Sequence, residues 1–169
     1  MVAAPAAAQV SGSVDIESDY RLRGYSLSAG RPAATAQIGY DDASGLYLAL
    51  SATGVFDRDR DPLFLGVQGN IGYARRLTSS LSIDGGISRS QYRAPDRDSR
   101  SWYYSEVYLG LASGPVTARV YYSPDYYGTD GSALYGEVET TIAPAGKWRL
   151  SGHVGSRVLL SIPTRYRPD

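Results

Sequence analysis

The sequence repeats one pattern about ten times: apolar and polar residues alternate along short segments, while helical periodicity is hard to find. The segment 46–51, for example, reads Leu-Tyr-Leu-Ala-Leu-Ser. Successive side chains of a β-strand point to opposite faces, so each such segment predicts a strand with one apolar face. Tight turns at 41–44, 77–79, 113–114 and 143–146 alternate with longer links at 24–31, 56–62, 92–101 and 123–132.

Composition excludes several function classes. Seventeen Lys and Arg balance seventeen Asp and Glu, which argues against a nucleic-acid partner recognised through a basic stripe. The absence of cysteine excludes disulfide scaffolds, thiol catalysis and cysteine zinc sites, and a single histidine excludes a site built on several histidines. No cofactor is expected. No segment has the 18 or so apolar residues of a membrane-spanning helix.

The alternation fits either a soluble barrel with an apolar core or a membrane barrel with an apolar outside. The polar face is rich in Gly, Ser, Ala and Gln. Lys147 is the only lysine, whereas the chain has sixteen arginines. A water-facing surface usually carries lysine and glutamate, and arginine is better suited to fixed ion pairs. These features favour an all-β, antiparallel, up-and-down transmembrane β-barrel of about ten strands, within a range of roughly eight to twelve, with short periplasmic turns and longer outer loops.

In this barrel the polar face forms a charge-paired lumen, and the apolar face forms a lipid-facing belt with Tyr and Trp near the strand ends. The residues assigned to the lumen network are Asp15, Glu17, Asp19, Arg21, Arg23, Asp84, Glu106, Arg119, Glu137, Glu139, Arg149 and His153. The residues assigned to the lipid-facing belt are Leu46, Leu48, Leu50, Val107, Leu109, Leu111, Val116 and Val120.

The amino-terminal residues 1–9 contain an Ala-x-Ala run that ends at Ala8. This run resembles the end of a secretory signal peptide whose earlier regions are missing, and the alternative is a flexible Ala/Pro tail. Residues 10–169 are then expected to form a single barrel domain, exported to the bacterial outer membrane.

Several short motifs, in order, resemble the Gcw_chp family of predicted bacterial outer-membrane proteins over roughly residues 10–155. The motifs are Ser18-Asp19-Tyr20-x-x-Arg23-Gly24, Pro32-Ala33, Gly45-x-Tyr47, Ile71-Gly72-Tyr73, Tyr104-x-Glu106-x-Tyr108-x-Gly110, Tyr121-Tyr122-Ser123-Pro124-Asp125-Tyr126 and His153-Val154-Gly155. The resemblance implies an exported β-barrel and supplies no catalytic residues. The carboxyl end departs from the family pattern, because family members continue with further strands. This chain also lacks a terminal aromatic residue, the usual assembly signal of bacterial barrels. Either the domain is truncated, or its last strand is formed from the tail at 157–166.

Three chemical alternatives concern small groups of residues. His153, with Ser151 and either Glu137 or Glu139, suggests the triad of a barrel lipid A deacylase, but a hydrogen-bond network is the simpler interpretation. Glu137 and Glu139 also suggest a glycosidase pair, but the two carboxylates fit equally well opposite arginines on neighbouring strands.

The loops around 57–61 and 93–100 alternate Asp with Arg. Calcium loops space aspartates similarly but need a glycine and a distal glutamate, so we expect self-paired loops whose arginines touch lipopolysaccharide phosphates.

The sequence therefore predicts a non-enzymatic outer-membrane β-barrel, with no catalytic, cofactor or metal residues, that acts as a small or plugged channel or as a structural or interaction barrel. Its expected partners are outer-membrane lipid and lipopolysaccharide, with no nucleic acid. The alternatives are a barrel enzyme acting on envelope lipid and a soluble lipocalin-like carrier of an apolar ligand. The sequence defines neither a solute nor an oligomeric state.

Overall fold

The chain forms β-strands joined by turns. The computed structural model describes residues 8–57, 60–94, 101–126, 131–144 and 148–161. The strands are β1 (Gln9–Glu17), β2 (Arg21–Leu22), β3 (Tyr25–Ser26), β4 (Ala33–Asp41), β5 (Leu46–Asp57), β6 (Arg60–Arg76), β7 (Leu81–Arg93), β8 (Ser101–Ser113), β9 (Val116–Ser123), β10 (Ala133–Ile142) and β11 (Leu150–Leu159). The described residues contain no helix with the length and hydrophobicity of a membrane-spanning one.

Nine strands form one antiparallel, up-and-down sheet in the order β1-β4-β5-β6-β7-β8-β9-β10-β11, and β2 and β3 form a separate hairpin. The predicted all-β, up-and-down architecture is thus confirmed. Within the described residues the sheet is not closed into a barrel, because β1 and β11 stand at the two ends of the strand order.

Three of the predicted tight turns, near 41–44, 77–79 and 113–114, connect consecutive strands, and the fourth, at 143–146, falls partly outside the described residues. Between β4 and β5, Asp42 N donates to Leu46 O at 2.8 Å, and Gly45 takes a φ of 101°, which glycine adopts at little cost. Between β8 and β9, the turn is only Gly114 and Pro115, with Gly114 at a φ of 57°. These short connections place sequence neighbours side by side in the sheet.

Contacts along the chain define two compact units, which are described separately. The first comprises residues 1–71 and 88–103, and the second comprises residues 72–87 and 104–169. In the first unit the buried side chains include Val55, Leu65 and Tyr92 with several small polar residues. In the second unit the buried side chains are mainly tyrosines, joined by the carboxylate of Glu106.

Three predicted boundaries are wrong. The apolar–polar alternation of residues 10–19 predicts a first strand that reaches Asp19, but β1 ends at Glu17, because the following residues fold back into the β2–β3 hairpin. The link at 56–62 was expected to be long, but β5 continues to Asp57 and β6 begins at Arg60. The tenth strand was expected from residue 157, but that residue belongs to β11, and residues 162–169 lie outside the described part of the chain.

Candidate functional site

The second unit contains an ion pair between Arg119 and Asp84. Arg119 on β9 lies opposite Gly110 on β8 and opposite Glu137 on β10. Its Nη2 donates to Asp84 Oδ2 at 3.4 Å, and the Asp84 side chain is 13% exposed. A Cβ at Gly110 would lie 2.9 Å from Arg119 Cγ and would clash with Asp84 Oδ1, so the glycine makes room for the pair. Glu137 thus faces an arginine on the neighbouring strand, as the sequence interpretation expected, and Asp84 is a further carboxylate that contacts the same guanidinium.

A hydrogen-bonded chain joins β9, β10 and β11. Tyr121 Oη donates to Glu137 Oε1 at 2.8 Å, and the other carboxylate oxygen of Glu137 lies 3.2 Å from His153 Nε2. The same imidazole nitrogen lies 3.0 Å from Tyr135 Oη. The Glu137 side chain is 10% exposed and that of His153 is 36% exposed. We call these four residues, with Asp84 and Arg119, the polar network.

A second carboxylate stands beside this chain. Glu139 lies opposite His153 in the β10–β11 register, and ligand atoms from Glu137, Glu139 and His153 all lie within 4.8 Å of one another. Three such groups can contribute to a divalent-metal site, although a structural zinc site takes four ligands. Because His153 Nε2 already contacts Glu137 and Tyr135, the contacts seen here need no ion to explain them.

Three tyrosine rings run across the same face on adjacent strands. Tyr108, Tyr121 and Tyr135 are directly opposite one another in the register of β8, β9 and β10. Their ring centroids are 5.8 and 6.0 Å apart, a spacing at which tilted aromatic pairs attract one another. A Cβ at Gly155 would clash with Tyr135, so this position of β11 accommodates the ring.

Ser151 and His153 form hydrogen bonds with different partners. Ser151 Oγ lies 3.0 Å from Thr141 Oγ1 across β10 and β11, whereas His153 contacts Glu137 and Tyr135. The hydroxyl that the enzymatic alternative would use as a nucleophile is therefore engaged by a threonine in this structure.

The residues assigned to the lipid-facing belt are all exposed. Leu46, Leu48 and Leu50 on β5 are 52–54% exposed, whereas Thr53 and Val55 at the far end of the same strand are buried. The other residues assigned to the lipid-facing belt are exposed by 42–58%: Val107, Leu109, Leu111, Val116 and Val120.

The remaining residues assigned to the lumen are distributed more widely. Asp15 and Glu17 lie exposed on β1, and Arg149 lies exposed just before β11. Asp19 and Arg21 form an ion pair at 2.6 Å, but they do so around the hairpin beyond β1, where Arg23 takes a φ of 52°. The side chains of 57–61 and of 95–100, on which the loop predictions rest, lie outside the described part of the chain.

Comparison with protein-family models gives a match over residues 2–166 to a family described as bacterial proteins of unknown function, Gcw_chp. The chain belongs to the Gcw_chp family. Neither the curated proteins nor the solved structures include a significant match to it. The predicted family resemblance is thus confirmed, and it extends over nearly the whole chain.

One Gcw_chp motif forms a compact loop around Asp19. Its Oδ1 accepts hydrogen bonds from Ser26 Oγ at 2.5 Å, Ser28 Oγ at 2.9 Å and Gly30 N at 3.2 Å, and its Oδ2 accepts from Arg21 Nε at 2.6 Å. These donors, led by the Ser26 hydroxyl, hold the pKa of Asp19 below its ordinary value. Sequence reasoning placed Asp19 in the lumen and missed this organising role.

A second Gcw_chp motif contains another carboxylate with several donors. Asp125 accepts from Ser105 N at 2.7 Å, and its other oxygen accepts from Ser105 Oγ at 3.2 Å. The next residue, Tyr126, accepts a hydrogen bond from Arg157 Nη1 at 2.5 Å while that guanidinium also stands over the tyrosine ring. The motif thus ties β8, the end of β9 and β11 together.

Sequence reasoning also missed an aromatic cluster in the first unit. Tyr92 was assigned to a loop, but it is a buried residue of β7, only 1% exposed. Its ring lies between Tyr20 and Trp102, with centroids 6.4 and 6.3 Å away. The period-2 alternation continues through Ser88, Ser90 and Tyr92, and following it further would have found this residue.

Proposed function

We propose that this Gcw_chp protein is a non-enzymatic integral β-barrel of the bacterial outer membrane, whose polar face encloses a plugged lumen. Its surroundings are then outer-membrane lipid and lipopolysaccharide. The observation that carries the proposal is the orientation of the alternating side chains. Most of the large aliphatic residues described are exposed, whereas five tyrosines, several serines and one glutamate are buried beside a few aliphatic residues such as Leu65 and Val55.

Strand β8 gives the clearest example of this orientation. Val107, Leu109 and Leu111 are 47–58% exposed, and the alternating residues Glu106 and Tyr108 are only 4% and 7% exposed. In water, exposing a row of aliphatic side chains while burying a carboxylate is unfavourable on both counts. In a bilayer, the same arrangement places the aliphatic row against lipid and the carboxylate among polar partners, as in outer-membrane barrels.

This orientation also favours the membrane proposal over the lipocalin-like carrier. A soluble carrier of an apolar ligand needs an apolar interior, whereas the buried positions described here include, beside Leu65 and Val55, many tyrosine and serine hydroxyls and the carboxylate of Glu106. The enzymatic alternative gains no support from Ser151, whose hydroxyl contacts Thr141.

A closed barrel requires more strands than the nine of the described sheet. In an up-and-down sheet of nine strands, the first and last strands run in the same direction. Bacterial single-chain outer-membrane barrels have an even number of antiparallel strands. An all-antiparallel barrel built on this sheet therefore includes an odd number of strands beyond these nine.

The first test is electrophoresis of the protein refolded in detergent, with and without boiling. A membrane barrel that stays folded in dodecyl sulfate migrates differently before and after heating, and we expect that difference here. Identical migration, together with full solubility of the folded protein in detergent-free buffer, would contradict the membrane proposal.

Spin labels on β8 provide a second, residue-level test in liposomes. We expect a label at Leu109 to be accessible to dissolved oxygen and shielded from a polar relaxant. A label at the buried Glu106 should be shielded from dissolved oxygen. Leu109 shielded from oxygen would indicate an apolar interior and would favour the carrier instead.

A further inference from the structure

The first unit contains an open cavity of about 340 Å³ on the polar face of β1, β4, β5 and β6. Short side chains at Thr35, Ala49 and Ser51 leave this space. Its size falls within the range of small-molecule sites, roughly 300–1,000 Å³. All the lining residues of the cavity belong to the first unit, whereas all the residues of the polar network belong to the second.

The charge of the cavity is one-sided. Asp15 and Glu17 both line it from β1, and none of the described lining residues is Lys or Arg. Asp15 accepts a weak hydrogen bond from Ser13 Oγ at 3.3 Å, and the described contacts include no hydrogen bond or ion pair to Glu17. The arginine nearest in sequence, Arg21, is held by Asp19 and by a backbone carbonyl of the hairpin.

The other walls supply neutral hydrogen-bonding groups and one ring. Gln37, Gln68 and Asn70 line the cavity with amides, and Tyr20 lines it with a phenol. Tyr92 Oη donates to Gln68 Oε1 at 3.5 Å and lies 3.3 Å from Tyr20 Oη, so the buried ring of Tyr92 supports this wall. Carboxylates, amide oxygens and an aromatic ring are the groups that attract an ammonium ion.

We propose that this cavity binds a small organic cation that carries primary ammonium groups. An ammonium donates three hydrogen bonds and accepts none, which matches a lining rich in acceptors. Two carboxylates without a lining cation attract such a solute and repel an anion. A neutral polyol would bond to the amides but would gain nothing from the charge. The site is lined by residues of the first unit alone, so it does not require the polar network of the second unit.

The test is isothermal titration calorimetry on the full refolded chain with three four-carbon probes. Putrescine carries two ammonium groups, 1,4-butanediol carries two hydroxyls, and succinate carries two carboxylates. We expect heat of binding from putrescine alone, with an affinity that falls as salt is added. Equal binding of butanediol would identify a polyol site, and no binding of putrescine at millimolar concentration would refute the proposal.

Variants then locate the binding. Because the two carboxylates are exposed, Glu17→Gln should weaken putrescine binding by roughly two- to fivefold. The double variant Asp15→Asn/Glu17→Gln should weaken it further. Asp41→Asn, which removes an exposed carboxylate at the end of β4 that does not line the cavity, is the matched control and should leave the affinity unchanged.

Circular dichroism checks that each variant folds before its affinity is compared. An unchanged affinity in the folded double variant would place binding elsewhere and overturn the assignment. Complete displacement of putrescine by an equal concentration of Ca²⁺ would assign the carboxylates to a metal instead.

Discussion

At the scale of single residues, small side chains on one strand make room for large polar ones on the next. At three glycine positions, an added Cβ would clash with a large side chain on the neighbouring strand. The pairs are Gly66 with Tyr92, Gly110 with Arg119 and Gly155 with Tyr135. Each large residue covers the space that the missing Cβ leaves, so both members of a pair are needed for close packing.

The substitution Gly66→Ala tests this packing. The new Cβ would lie 2.5 Å from Tyr92 Cδ1 and 3.0 Å from Tyr92 Cα, and it would also clash with the carbonyl of Gln91. Because backbone atoms cannot rotate away, we expect the free energy of unfolding to fall by about 1–3 kcal/mol, measured by urea titration in lipid. Gly69→Ala on the same strand adds only contacts of 3.7 Å or more and is the control. Equal losses in the two variants would contradict the packing argument.

Asp19 gives a pH-dependent prediction. Its pKa is lowered in the folded state, first by the Ser26 hydroxyl, so its contribution is present above the ordinary carboxyl pKa of 3.8 and is lost as pH falls through the lower folded value. We expect hydrogen-exchange protection of the Gly30 amide, which donates to Asp19, to decrease in that acid range. In Asp19→Ala, which has no side-chain acceptor, the protection should be reduced and should no longer depend on pH in that range. Asp42→Asn, in a different turn, should leave Gly30 unchanged.

At the scale of the strand, alternation separates two environments on one element. If the exposed face of β8 meets lipid, Leu109→Arg near mid-strand should lower the free energy of unfolding by about 2–4 kcal/mol in liposomes. The control is Leu77→Arg, because Leu77 is similarly exposed but lies in the turn after β6, where the cost should be about 0–1 kcal/mol. Equal costs at the two positions would mean that β8 does not cross the hydrocarbon.

Strand alternation was predictable because it depends only on local backbone geometry. The sequence therefore located most of the strands, and residues such as Leu109 and Glu106 lie on opposite faces as their spacing requires. The pairing of Arg119 with Asp84 was not predictable. These residues are 35 positions apart, and register alone does not decide which carboxylate reaches the guanidinium.

The Asp19 hairpin was missed for a different reason. Its carboxylate gathers donors from residues seven to eleven positions further along, which interrupts the strand. The alternation continues past Glu17, so it gives no sign of this interruption. Glycines at 24 and 30, both with positive φ, were the available signal that the chain turns there.

At the scale of the whole molecule, the charges and rings of the buried faces determine what a lumen could pass. An eight-stranded barrel is already filled by its side chains, and about ten strands enclose little more space. In the second unit, Asp84 pairs with Arg119, Glu137 contacts His153, and the tyrosine row occupies the same face. If a barrel closes around this face, opposite charges that pair directly would leave no continuous water-filled path for a solute.

We therefore expect little or no single-channel conductance from the purified protein in planar bilayers. Arg119→Ala removes one partner of an ion pair whose arginine is one-third exposed, so we expect a higher leak current and a loss of about 1 kcal/mol in the free energy of unfolding. Arg75→Ala, which removes an exposed arginine near the end of β6, should change neither quantity. A solute could pass this face only if the paired charges and the tyrosine rings separated. Large, steady conductance from the unmodified chain would therefore contradict a plugged lumen and would indicate an open, porin-like channel.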